Sequence, residues 1–285
     1  RSDPMRRHDR RHVEDRSAAR QPPIVIGHPI TSRAGSGLRE TFAALDSRNY
    51  RLWFLGQIVS LTGTWMQSTA QGYLVYELTR SSAFLGYVAF ANGLPSWLFM
   101  LYGGVVADRM PRRTLLIYTQ TAMMLLALLL AGLVATEWIQ PWHIVLIALG
   151  LGVAAAFDAP ARQSFVVDLV ERDDLGNAIA LNSTMFNSAV IVGPAVGAAI
   201  YAAFGPTWCF ALNGLSFLAV LLALLRMRLP ASPVPAGARP SAVSQLREGL
   251  RYTRRHPTIR TLIVNLGLVG LLMQMLPLNG QGHLG

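Results

Sequence analysis

The 285-residue sequence contains no lysine and a single cysteine, and only 14% of its residues are charged. Soluble domains carry about 25% charged residues, so this composition excludes an ordinary soluble core. The single Cys209 cannot form a disulfide within the chain or build a thiolate cluster. It lies in an apolar run, where a buried and inert thiol is expected. No metal site and no cofactor are predicted.

Patterns that would indicate an enzyme are also missing. The sequence has no HExxH motif and no phosphate-binding glycine loop, so neither a zinc protease nor ATP-driven transport is predicted. His143 falls at a predicted membrane interface without a catalytic partner nearby in sequence, and Asp158 and Asp168 fall at the edge of a predicted span. We therefore expect a protein that is not an enzyme.

What the sequence has in abundance is apolar residues, at 52%, together with a formal net charge of +10. Several uncharged runs approach the ~20 residues that a helix needs to cross a bilayer. The arginines fall in the N-terminal tail and in short turns between these runs. Because short cytoplasmic loops concentrate arginine, we interpret the charge as membrane topology with a cytoplasmic N-terminus. A nucleic-acid partner is not predicted.

The hydrophobic pattern predicts an all-α, polytopic membrane protein. Residues 1–47 form a basic tail that is too polar to fold alone and is expected to be disordered. Residues 48–226 form a bundle of six spans, and residues 227–260 form a basic cytoplasmic connector. Residues 261–285 begin a seventh span. The six predicted spans cover residues 52–76, 83–107, 115–134, 142–157, 181–204 and 208–225.

The turn between the second and third predicted spans, residues 103–113, reads GGVVADRMPRR. An aspartate at the membrane edge needs a partner, since a charge at the centre of a spanning helix costs ~3 kcal/mol. The nearby arginines can supply one. The turn resembles the signature that the major facilitator superfamily carries between its helices 2 and 3, through Gly104, Asp108, Arg109, Arg112 and Arg113. Pro111 departs from that pattern, which usually has glycine there.

Two further segments carry the same resemblance. Residues 157–183, which include Asp158 and Arg162, strongly resemble the corresponding stretch of exporters in the enterobactin-exporter-like branch of the superfamily. They are interpreted as a cytoplasmic turn followed by a new helix start. In the fifth span, Gly193, Pro194 and Gly197 resemble the helix-5 antiporter motif of drug and siderophore exporters. A simple kinked packing site is the alternative for these three residues.

The first predicted span is polar for a helix in lipid. Its polar residues recur at three- and four-residue spacing and therefore share one face. Such a stripe suits a water-accessible cavity that contacts a substrate, and the alternative is interhelical hydrogen bonding that only holds the bundle together. The stripe consists of Gln57, Ser60, Thr64, Gln67 and Gln71.

The resemblance implies a function and a larger fold. Superfamily members have twelve helices in two halves, with the substrate bound between the halves. This sequence resembles the first half, over residues 39–278, and we expect it to be a truncated chain. The implied activity is proton-coupled efflux of a small molecule, such as a siderophore or a drug, by alternating access in the cell membrane. No carboxylate falls deep within a predicted span, so proton coupling rests on the resemblance alone.

The resemblance also assigns roles to the charged residues. The motif aspartate, Asp108, would face the N-terminus of a helix 11, and a motif arginine would pair with an acidic residue at the end of helix 4, for which Asp158 is the candidate. A latch on the cytoplasmic side would combine Asp108, Arg109, Arg112, Arg113, Asp158 and Arg162. The alternative function is a membrane fragment or assembly module that does not transport.

Overall fold

The computed structural model describes residues 42–228, 251–262, 264, 265 and 268, without the side chains of residues 100 and 101. All these residues belong to one compact unit, Thr41–Gly285. Most of the predicted tail, connector and seventh span therefore lies outside the described residues. The expectations of a disordered tail and of a truncated chain remain predictions.

The described bundle consists of six long helices. A 3₁₀ turn, Ala43–Asp46, precedes the first helix, and a second one, Arg172–Asp174, separates the fourth helix from the fifth. The predicted all-α fold is confirmed, and each of the six predicted spans overlaps one helix. The helices are α1 (Arg48–Thr79), α2 (Ser82–Arg109), α3 (Arg112–Ala135), α4 (Pro141–Val167), α5 (Leu175–Phe204) and α6 (Pro206–Arg226).

Local sequence explains where several helices begin and end. The Ser47 hydroxyl accepts a hydrogen bond from the backbone N–H of Tyr50 and so caps the start of α1. Pro141 opens α4 at a position where its missing N–H costs nothing. Gly205 alone connects α5 to α6, with a φ of 84° that side-chain-bearing residues rarely adopt. Pro206 then opens α6.

The largest difference from the sequence-based prediction concerns the end of α4. The predicted span stops at residue 157, whereas the helix continues to Val167 and places Pro160 in its interior. The predicted turn at this point is wrong, because the Asp158 carboxylate is bound by side chains of α3 and does not need to reach water. The prediction also started the fifth span too late, since α5 begins at Leu175.

Among the described residues, four helical segments are long and apolar enough to cross a membrane. The count becomes five if the two arms of α2, bent by 58°, are taken as one span. The four are α3, α4, α6 and the segment Arg172–Phe204. α1 is not among them although it has 32 residues. The polar stripe predicted from the sequence lowers its hydropathy.

The packing of the helices has an internal symmetry. α1 packs against α5 and α6, α4 packs against α2 and α3, and α3 packs against α6. The first three helices and the last three therefore make equivalent contacts: if α1 is exchanged with α4, α2 with α5 and α3 with α6, the same pairs of helices remain in contact. Successive helices alternate in direction, so the two three-helix units are inverted relative to each other. Inverted repeats of this kind are typical of secondary transporters.

Apolar side chains fill both ends of the bundle. At one end the rings of Trp53 and Phe165 meet edge to face, with centroids 5.1 Å apart, within a cluster that also buries Leu116. At the other end a second cluster buries Ile144 and Phe210. The middle of the bundle, between these clusters, holds polar side chains.

Candidate functional site: a polar cavity in the bundle

A cavity of about 470 Å³ lies among α1, α2, α4 and α6, with one further contact from α3. It extends from the middle of the bundle toward the end where α1 stops and α2 starts. The apolar part of its wall includes Trp65, Met123 and Phe217. The polar part consists of Thr64, Gln67, Ser68, Gln71, Asn92 and Asn213.

One hydrogen bond ties the polar wall together. The side-chain amide of Asn213 on α6 donates to Oε1 of Gln67 on α1 over 2.7 Å, and both side chains are buried. Gly63 makes this contact possible. A Cβ at that position would lie 2.6 Å from Oδ1 of Asn213, so a larger residue would displace the Asn213 side chain from its present position. The glycine therefore positions the two amides.

Other polar groups of the wall are available to a ligand. Within the part of the chain that the structure describes, the side-chain amides of Gln71 and Asn92 have no protein hydrogen-bond partner. The Thr64 hydroxyl donates to the backbone carbonyl of Ser60 in its own helix. Each free amide presents one acceptor oxygen and one donor nitrogen.

The structure divides the predicted polar stripe of α1. Thr64, Gln67 and Gln71 line the cavity, as the cavity interpretation expects. Gln57 and Ser60 are buried outside its lining, with exposed fractions of 1% and 3%. The Gln67–Asn213 bond fits the alternative interpretation, since it holds two helices together. Gln67 belongs to both groups, and the role of the stripe in binding a substrate stays a prediction.

Asn92 and Asn213 belong to the cavity wall but are not among the site residues predicted from the sequence. Each is an isolated asparagine within a long apolar run, which is a signal in itself. A polar side chain in a spanning helix is costly and usually faces the bundle interior or a cavity. Their convergence on Gln67 and Gln71 depends on interhelical packing and could not be derived from spacing along the chain.

The charged turn between α2 and α3 forms a network at the opposite end from the cavity. The Arg112 guanidinium lies 2.8 Å from Oδ1 of Asp168, at the end of α4, and also donates to the backbone carbonyl of Ser164. Arg113 donates to the carbonyl of Leu225, at the end of α6. Asp108 and Arg109 lie exposed at the end of α2. These contacts join the start of α3 to the ends of two other helices.

Asp158 lies inside the bundle, on the face of α4 that packs against α3. Its side chain is only 2% exposed, and its Oδ1 accepts hydrogen bonds of 2.8 Å from both Thr119 and Gln120 of α3. Arg162, one turn further along α4, lies 3.7 Å from its Oδ2. The partner of Arg112 is therefore Asp168, and Asp158 joins α4 to α3.

The segment with the strongest family resemblance also holds the start of α1. The Ser47 hydroxyl donates to the carbonyl of Leu169, and the Tyr50 hydroxyl donates to the carbonyl of Ala178. The backbone N–H of Ala44 donates to Oδ1 of Asn177. The end of α4 and the start of α5 therefore anchor the entry into the bundle.

The glycines of the two motifs differ in their surroundings. Gly193 and Gly197 on α5 press against α1, where an added Cβ would lie 3.0 Å from the carbonyl oxygens of Thr62 and Met66 respectively. Gly104, by contrast, has open space around its Cα within the described residues, whereas its neighbour Gly103 contacts the backbone of Ala156. Of these two adjacent glycines, Gly103 is the one at which α2 closely approaches α4.

The described helices thus form an inverted-repeat bundle with a polar cavity, an arrangement that is typical of secondary transporters. A family profile described as transmembrane secretion effector, within the major facilitator superfamily, matches residues 39–281. The chain belongs to this family. The predicted membership is confirmed.

Curated relatives agree with the family. The chain is 22% identical to the staphyloferrin A transporter of Staphylococcus aureus over 75% of its length, which is 54% of that protein. It is 25% identical to the enterobactin exporter EntS of Shigella boydii and of Escherichia coli, over 79% of its own length and 53% of theirs. The chain spans about half the length of these relatives.

Proposed function

We propose that this chain forms the N-terminal half of a proton-coupled exporter that carries a small molecule, such as a siderophore, out of the cell by alternating access. The observation that carries the proposal is the cavity lined by Gln67, Gln71 and Asn213 in the middle of a bundle with inverted repeats. Substrate sites of such transporters lie near the bilayer midplane. The names of the relatives support a siderophore as the cargo.

The charged network is the proposed latch of the transport cycle. Alternating access requires contacts that break and re-form in every cycle. The Arg112–Asp168 pair suits this role because both side chains are about one-third exposed. Ion pairs at such positions contribute at most about 1 kcal/mol, which thermal motion and substrate binding can overcome. The Asp158 cluster, which is buried, would instead keep α3 and α4 together throughout the cycle.

The α5 motif has a proposed role beside the cavity. Gly193 and Gly197 allow α5 to lie directly on α1, next to the cavity residues Thr64 and Trp65. Pro194 removes one backbone hydrogen bond of the helix and so makes bending there less costly. A movement of α5 would therefore reach the cavity wall without an intervening layer of side chains.

Export from cells tests the proposal. Gln71→Leu and Asn92→Leu change side chains that have no hydrogen-bond partner among the described residues, so they should leave the fold intact and reduce efflux. In a strain that lacks its own enterobactin exporter, we expect secretion of catecholate siderophore when the wild-type chain is expressed together with a second half that completes the exporter, and at least about a fivefold loss with either variant. Gln163→Leu makes the same change on an exposed part of α4 and serves as the control.

The same strain separates transport from a purely structural role. Efflux that does not exceed that of empty-vector cells would favour the non-transporting membrane module. Efflux above that level that is equal for the wild type and all three variants would show that the cavity residues do not contribute to transport. Proton coupling is tested in vesicles by imposing a pH gradient. Export that does not change when the gradient is collapsed would rule out antiport with protons while leaving transport in place.

A further inference from the structure

We infer that this cavity selects an uncharged ligand that combines hydrogen-bonding groups with an apolar or aromatic part, and that it rejects anionic forms of the same molecule. The inference rests on the proposed function, because it treats the cavity as the substrate site. It goes further by naming the charge state of the cargo. For a metal chelator, the selected form would be the neutral one without metal.

The charge of the lining is the first support. None of the described residues that line the cavity is aspartate, glutamate, arginine, lysine or histidine. The charged groups described in the bundle, including the Arg112–Asp168 pair, are not part of this lining. An anion that enters would lose its hydration without gaining an opposite charge, which is among the costliest changes in a low-dielectric environment.

The kind of polar group that remains free on the cavity wall is the second support. Gln71 and Asn92 each offer a carbonyl oxygen as well as an NH₂ group. The Oε1 of Gln67 is already bound by Asn213, so its NH₂ group remains for a ligand. This mixture of donors and acceptors suits hydroxyl and amide groups. The described lining holds no positively charged side chain with which an anion could pair.

The shape of the cavity is the third support. At about 470 Å³ it falls within the ~300–1,000 Å³ that is typical of sites for small organic molecules. Trp65 and Phe217 supply aromatic surface to the wall, and Trp65 is held by an edge-to-face contact with Phe186. A flat or aromatic part of the ligand can pack there while its polar groups bond to the amides.

Thiol labelling measures the charge preference directly. Cys209 is the only cysteine and is fully buried, so a Cys209→Ser chain provides a background without reactive thiols. In that background, Gln71→Cys places a thiol on the cavity wall, and Ser82→Cys places one on the exposed start of α2 as the reference. Two methanethiosulfonates of similar size, the neutral 2-hydroxyethyl and the anionic 2-sulfonatoethyl compound, are applied to membrane vesicles.

The ratio of the neutral to the anionic labelling rate is compared at the two positions. We expect this ratio to be at least about tenfold higher at Gln71→Cys than at Ser82→Cys. Adding Asn92→Arg should lower the ratio about tenfold, because it supplies a positive charge, and the matched Asn92→Gln should not change it. A difference between the positions of less than about threefold, or no labelling of Gln71→Cys by either reagent, would overturn the inference.

The labelling experiment does not require transport, so its result is independent of the efflux assay. If labelling shows the expected preference while the cavity variants leave efflux unchanged, the transport role fails and the chemistry of the cavity stands. If efflux depends on Gln71 and Asn92 while labelling shows no preference, only the inference about charge fails.

Discussion

The two adjacent glycines at the end of α2 give the sharpest test of the helix packing. An alanine at position 103 would place its Cβ against the carbonyl oxygen of Ala156, 3.1 Å from the carbonyl carbon and 3.3 Å from the Cα of Phe157. These are backbone atoms of α4 and cannot rotate away. An alanine at position 104 would meet no atom of the described residues within 4 Å. The same substitution should therefore have different effects one residue apart.

The expected change in the free energy of unfolding is the sum of two contributions. Replacing a helical glycine by alanine stabilises the folded state by up to ~1 kcal/mol through backbone entropy, and this term is common to both positions. Only Gly103→Ala adds the cost of overpacking, about 1–3 kcal/mol. The difference between the two variants isolates the steric term. For a chain of this size it corresponds to about 2–12 °C in the unfolding midpoint.

Thermal unfolding of the purified chain in detergent, followed by circular dichroism or by fluorescence, measures this difference. We expect Gly104→Ala to unfold at or above the wild-type temperature and Gly103→Ala to unfold below it. The reasoning is refuted if the two variants unfold together, or if Gly104→Ala is the less stable one. Either result would mean that α2 does not approach α4 through Gly103.

Three further predictions concern other contacts. Asp158→Leu should destabilise the chain by about 3 kcal/mol or more, because it leaves the buried NH₂ group of Gln120 without its acceptor and Arg162 without its carboxylate, while Thr119 keeps the carbonyl of Leu116. Asp158→Asn should cost less, and the yield of monodisperse protein in gel filtration ranks the two variants. Arg112→Ala should change the free energy of unfolding by less than about 1 kcal/mol and yet reduce efflux. The double variant Arg112→Asp with Asp168→Arg reverses the ion pair and should restore part of the lost efflux. Cys209 should not react with maleimide in native membranes and should react after denaturation, as mass spectrometry will show.

Each of these predictions can fail clearly. Equal yields of the two Asp158 variants would show that the buried hydrogen bonds contribute little. Unchanged efflux with Arg112→Ala would remove the latch from the proposed mechanism. Rapid labelling of Cys209 in native membranes would contradict the packing of α6.

Properties that depend on local pattern could be derived from the sequence. The length and apolar character of α3 and α6 show that these helices can span a membrane. The charged residues and prolines next to them indicate where the two helices begin and end. The family was recognised from the glycine, aspartate and arginines of residues 104–113, whose spacing is visible without a fold. The polar face of α1 followed from its periodicity.

Properties that depend on contacts between helices could not be derived in this way. Asp158 was expected at the membrane edge, and its burial depends on Thr119 and Gln120, which are about 38 residues away in sequence. The same applies to the pairing of Arg112 with Asp168, since the distance between them is set by the packing of α3 on α4.

The sequence by itself determined that this protein is an all-α membrane protein of the major facilitator type, because transfer of apolar runs into lipid and the spacing of a short motif are local properties. Only the tertiary structure decided which polar residues of α1 reach a cavity, which glycine carries the contact of α2 with α4, and which acid pairs with which arginine. The reason is that several side chains of each type are chemically equivalent along the chain, and packing alone selects among them.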